Sequence, residues 1–173
     1  MNILVWVVAG TWPACVGAAK DIAEVRHRAG QDVSITLLHV IDDAPHEVAA
    51  GAFDALMGRG RHRDPAEQIR QLTQEAAEDM LAAAHHELGL PATRRLVTGR
   101  VERVVTAAAQ DADYVIVGRD GDRSRLGPDS LGRHTRFVVD HAPCAVMLIW
   151  PETAPSLGSI PPPPPRHQRP GEA

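Results

Sequence analysis

The sequence predicts an α/β protein built on a parallel, helix-covered sheet. Three observations lead there. Short apolar runs alternate five times with segments of helical periodicity. The first run, Ile3 to Val8, is apolar without a break, as a strand buried on both faces must be. Turn residues or glycines close most of these segments. Right-handed crossovers between parallel strands place the intervening helices on the faces of the sheet.

Each element has its own signal. Ile3 to Val8 is strand one, ending before Gly10-Thr11. Ala18, Ile22, Val25 and Ala29 then recur at helical spacing, and Gly30 suits the position past a helix end. Val33 to Ile41 is strand two, followed by the turn residues Asp42-Asp43-Ala44-Pro45. Val48 to Met57 forms a short helix in this reading. Asp64-Pro65-Ala66-Glu67 is a helix start, with Asp as N-cap and Pro at the first helical position. Ile69, Leu72, Ala76, Met80, Ala84 and Leu88 continue it as a long amphipathic helix closing at Gly89.

Arg94 to Val97 is a short strand ending at Thr98-Gly99. Val101, Val104, Val105 and Ala108 form a helical stripe. Asp113 to Gly118 is a strand that enters a glycine loop, Gly132 to His141 is a helix, and Ala145 to Trp150 is the last strand. Residues 1–150 therefore form the folded domain. Residues 151–173 hold eight of the fourteen prolines, including Pro161 to Pro165, and read as a disordered tail with a polyproline II stretch. Such a tail is either a solubilising extension or a hook for a proline-binding partner.

Composition narrows the function. A net charge of −4 gives no reason to expect nucleic acid, and the basic cluster Arg59, Arg61, His62 and Arg63 is too small to change that. Cys15 and Cys144 make no disulfide framework, and both sit among apolar residues. No apolar run approaches the ~20 residues of a membrane helix. Trp12-Pro13-Ala14-Cys15 has the look of a lipoprotein cleavage site, but no Lys or Arg precedes the short apolar run before it. A cytoplasmic protein without a membrane partner is expected.

The segment DYVIVGRDGDRSRLGPDSLGRHT, Asp113 to Thr135, carries most of the functional signal. Strand, glycine loop and helix start follow in order. A helix N-terminus carries unpaired N–H groups and roughly +0.5 of charge, so an anion such as phosphate is its natural guest. Glycines let the backbone approach it closely.

Several pieces together resemble the universal stress protein family over about residues 2 to 150. They are ILV in strand one, LLHV in strand two, Gly99 ahead of a helix, ADYVIVGRDG, LGRHT, and HAPCAVMLI at the end. The resemblance implies an open, Rossmann-like sheet of five parallel strands in the order 3-2-1-4-5, with helices on both faces. It implies an adenine nucleotide, ATP or AMP, as ligand at the switch point between strands one and four. It also implies a homodimer through the last strand, residues 144–150, and a part in the stress response. The candidate site residues are Gly10, Thr11, Val40, Gly118, Arg119, Gly121, Gly132, Arg133, His134 and Thr135, of which Gly118, Gly121 and Gly132 match the family's glycine motif imperfectly.

The chain departs from the family's ATP-binding pattern in four places. Strand one ends in Val7-Val8-Ala9-Gly10-Thr11, without the usual Asp. Ten residues, not nine, separate Gly121 from Gly132, and Gly127-Pro128 can take up the extra one in a turn. Arg133 stands in place of Ser or Thr. Gly99-Arg100-Val101 replaces Gly-x-Pro. Two readings follow. Arg119, Arg133 and backbone N–H groups hold an anion, or the two arginines pair with Asp120, Asp122 or Asp129 in a loop that binds nothing.

Other candidates are weaker. His39 belongs to strand two. Asp42-Asp43 is a strand-end turn that could assist a metal near phosphate. His85-His86-Glu87 are consecutive on a helix and lack the i, i+4 spacing of metal ligands. No P-loop, Gly-x-Ser-x-Gly or paired-cysteine motif occurs, and no general base is evident, so an ATPase ranks below a binding module and a ligand-free scaffold.

Overall fold

Asn2–Trp6 forms β1 and lies at the centre of the sheet. A computed structural model describes residues 1–43 and 65–162. The expected helix at Val48 to Met57, the N-cap Asp64 and the basic cluster Arg59 to Arg63 lie outside those residues, as does the tail beyond Pro162.

The chain runs β1, α1 (Trp12–Arg28), β2 (Ser34–Asp42), α2 (Pro65–Leu88), β3 (Thr93–Gly99), α3 (Val101–Ala108), β4 (Tyr114–Gly118), α4 (Arg133–His141) and β5 (Ala145–Ile149). All neighbouring strands are parallel and their order is β3-β2-β1-β4-β5, as the resemblance implies. Strand order reverses between β1 and β4, where Val5 stands opposite Ile116.

The unbroken apolar runs now have a physical cause. Alternate residues of a strand face opposite sides. Ile3, Val5, Val7, Leu37 and Ile116 pack on one face against Val16, Ala19 and Ala23 of α1 and Leu81, Ala84 and Leu88 of α2. Leu4, Trp6, Leu38, Val40, Val115 and Val117 pack on the other against Val101 and Val105 of α3 and Val138 of α4. Both faces are dry, so neither parity can be polar.

Some boundaries differ from expectation. α1 begins at Trp12, not near Ala18, because the backbone turns directly out of β1: the Trp12 N–H donates to the Val8 carbonyl at 3.0 Å. β3 extends beyond Arg94–Val97 at both ends. It is an edge strand, and its exposed Arg94 and Arg95 break the apolar signal while keeping the edge charged. β5 is the opposite edge. Val146, Met147, Leu148 and Ile149 are only half-buried there. Beyond it, Leu157–Ser159 makes a single 3-10 turn.

Candidate functional site

The crevice at the switch point has two walls, the exits of β1 and β4. On the first, Gly10 takes φ +77°, which favours glycine. Thr11 follows, 3 % exposed, and its hydroxyl donates to the Val8 carbonyl at 3.3 Å. His39 on β2 donates from Nδ1 to the Val7 carbonyl at 2.7 Å, so it braces this exit. Val40 is buried in the second core cluster.

The second wall touches the first. A Cβ placed on Gly118 would lie 2.5 Å from the Thr11 Cβ, so only glycine lets β4 leave the sheet beside α1. The loop then folds back on itself. The Gly121 N–H donates to the Ser130 carbonyl at 3.0 Å, and the Asp122 N–H to the Asp129 carbonyl at 2.8 Å. Gly127 and Pro128 do turn the chain, with Gly127 at φ +142° leading into the 3-10 turn Pro128–Ser130. Ser130 is fully buried, and its hydroxyl donates to the Gly127 carbonyl at 2.6 Å.

Asp120 occupies the N-terminus of α4. Its Oδ1 accepts from the Gly132 N–H, the N-cap of α4, at 2.7 Å. The contact is close enough that a Cβ on Gly132 would fall 2.7 Å from Asp120 Oδ2. A carboxylate belongs here for the reasons a phosphate would: an unpaired donor and the positive end of the helix.

Neither arginine makes the aspartate pairs considered from the sequence. Arg119 donates to the Ser130 hydroxyl and stacks over the Trp150 ring, 4.7 Å from its centroid. Its Nε is buried without a hydrogen bond. Asp122 and Asp129 pair instead with Arg125, both at 3.2 Å. Arg133 is exposed and makes no hydrogen bond or ion pair with any described residue. Thr135 is buried in the first turn of α4.

His134 reaches across to α3, where its Nδ1 lies 2.9 Å from Glu102 Oε2. Glu102 also pairs with Arg100 at 3.3 Å, and its side chain is 13 % exposed. Its own backbone N–H most of all, then His134 and Arg100, hold its carboxyl below the ordinary range, against burial, which raises it. A depressed carboxyl contributes stability above its unfolded value and loses it as pH falls through the folded one. The stability difference between the wild type and Glu102→Gln should therefore be full above pH 4.5 and close at lower pH. Melting curves of both proteins across that range check this.

The remaining candidates play other parts. Burial pushes the Cys15 thiol up to about 12, so it is packing, not a nucleophile. Among the described residues no three His, Cys, Asp or Glu side chains converge as metal ligands, and no helix is long and apolar enough to cross a membrane. Sequence reasoning missed Asp120 as a helix cap, Ser130 as the buried post of the loop, and Glu102 as the partner of His134. Asp120 and Glu102 meet their partners 12 and 32 residues along the chain, and Ser130 meets Arg119 11 residues away, so no local spacing announces these contacts.

The family model for the universal stress protein family matches residues 12–149. The chain belongs to the universal stress protein family. No curated protein matches it significantly. Solved structures similar to it include the universal stress protein UspA from Lactobacillus plantarum, 22% identical with a TM-score of 0.54, covering 86% of this chain and 97% of that one. A family protein from Arabidopsis thaliana with AMP bound is 20% identical, with a TM-score of 0.52 over 93% and 95% of the two chains. The Archaeoglobus fulgidus universal stress protein in complex with dAMP is 18% identical, with a TM-score of 0.51 over 86% and 96%. At these identities the likeness concerns the fold.

Proposed function

We propose that this universal stress protein binds an adenine nucleotide at the switch crevice, with its phosphate on the N-terminus of α4, and serves as a regulatory module in the stress response. The observation that carries the reading is the Asp120 carboxylate on the Gly132 N–H. The helix end already selects an anion, and the chain supplies one of its own. A nucleotide phosphate exchanges with that carboxylate. Arg133, unpaired among the described residues, then offers a bidentate fork beside the helix end. Arg119 stiffens the loop through Ser130 and Trp150. Gly118, Gly121 and Gly132 let the backbone close around the ligand, and Gly10 and Thr11 form the facing wall. The AMP and dAMP complexes of relatives with this fold support the ligand class.

Among the described residues no general base is evident at the switch point, and turnover is not part of this reading. Thermal melts with AMP and ATP test it. Ligand at a hundred times Kd adds about 2.7 kcal/mol, or roughly 5–10 °C for a domain of this size. No shift at millimolar ligand would overturn the proposal.

A second reading, a ligand-free dimeric scaffold, is favoured by one observation: the same carboxylate leaves the helix end satisfied without a ligand. Both readings share a homodimer through β5, whose half-buried apolar residues form an open sheet edge. Sedimentation of the wild type should show a two-chain species, and Leu148→Lys, with its sheet intact by circular dichroism, should sediment as a monomer.

A further inference from the structure

The segment that follows β5 does not run away from the domain. Trp150 lies under the Arg119 guanidinium, at the start of the glycine loop. Glu152 pairs with Arg123 at 3.4 Å. The Ser159 hydroxyl accepts from the Leu126 N–H at 3.0 Å and donates to the Ser156 carbonyl at 2.6 Å, so a 3-10 turn presents it to the loop. Pro161 sits beside Gly127, where an added Cβ would lie 3.9 Å from its Cδ. Both limbs of the loop are thus tied to one stretch of chain, residues 150–161.

The ties are of a particular kind. They are one stacking contact, one hydrogen bond to the loop and one exposed ion pair. Beyond Trp150, the segment's large apolar side chains are not used: Leu157 is 78 % and Ile160 55 % exposed. A segment that buries so little is among the first to open.

We propose that residues 150–161 are a strap that holds the Gly118–Leu131 loop in its folded-back form, with Asp120 on the helix end, and so gates entry of a phosphate-bearing ligand. This rests on the nucleotide reading above for its ligand, though the locking of the loop stands apart from it. While the strap is down, Leu126, Gly127 and Arg119 are held, and the β4–α4 connection cannot swing Asp120 away from Gly132. When it lifts, the loop keeps only its own hydrogen bonds, the Arg119 N–H on the Ile149 carbonyl at 2.9 Å and the Arg136 guanidinium on the Pro128 carbonyl at 2.6 Å.

The test is the full-length double variant Ser159→Ala/Glu152→Gln, which removes the hydrogen bond and the ion pair but leaves Trp150 and the domain untouched. Hydrogen exchange is read at Gly121 and Asp122, whose acceptors are within the loop and not on the strap. Their exchange should quicken by roughly tenfold, as expected when a low-stability unit loses part of its support. AMP affinity should rise by roughly three- to tenfold, because the competent fraction scales the apparent Kd. Unchanged exchange at Gly121 and Asp122, with only Leu126 faster, would overturn the strap. Faster exchange with unaltered AMP affinity would overturn the gating. Faster exchange with no AMP binding by either protein would support the lock and overturn the nucleotide reading instead.

Discussion

Asp120→Ala should bind AMP about ten- to a hundredfold more tightly than the wild type while melting at a lower temperature. The two effects have one source. The Asp120 carboxylate accepts from the Gly132 N–H at 2.7 Å, and a charge-assisted bond of this sort is worth about 1.5–3 kcal/mol. A phosphate must displace it, so the ligand currently loses that amount on binding. Removing the side chain opens the helix end and also removes a negative charge from beside the incoming phosphate. The free protein loses a helix cap, which costs about 0.5–2 kcal/mol. Asp120→Asn should fall between the two, since its amide oxygen accepts without charge. Titration calorimetry gives the affinity and a thermal melt the stability. A variant that loses both stability and affinity would mean that Asp120 shapes the site and does not compete for it.

Gly121→Val should abolish nucleotide binding and lower stability without unfolding the sheet. A Cβ at this position would meet the Asp129 carbonyl oxygen at 2.3 Å and the Ser130 carbonyl carbon at 2.8 Å. Both are backbone atoms, so no rotamer relieves the contact. The loop is forced apart for good, losing the Gly121 and Asp122 hydrogen bonds, so it cannot close again around a bound phosphate as a loop merely freed of its strap can. Overpacking of this type costs about 1–3 kcal/mol, or roughly 3–10 °C of melting temperature. The sheet core lies outside the loop, so far-ultraviolet circular dichroism should be unchanged. Retained AMP binding in this variant would show that the ligand site does not depend on the loop.

The legibility of the molecule in its sequence follows from where the constraints act. β1, β2 and β4 are buried on both faces, and their apolar runs say so directly. β3 was harder to delimit. Its partners on β2 run from Thr36 to Asp42, but its outer edge faces solvent, and Arg94 and Arg95 interrupt the signal. The strand, loop and helix start of the site were legible because glycine and helix-start chemistry are local. The wiring of the loop was not. Asp120 and Gly132 are 12 residues apart, and Leu126 and Ser159 are 33 apart. Nothing periodic links them. The pairing of Arg125 with Asp122 and Asp129 had a local signal, since the three share i, i+3 and i, i+4 spacing.

The N–H of Gly132, now held by Asp120, is the proposed seat of the nucleotide phosphate. The most direct measurement is the amide resonance of Gly132 during titration with AMP. Gly132 should show a saturable shift, with Asp120 and Gly121 following at the same ligand concentrations, and a smaller response to adenosine, which lacks the phosphate. A Gly132 resonance that stays in place while the protein binds AMP would contradict this placement.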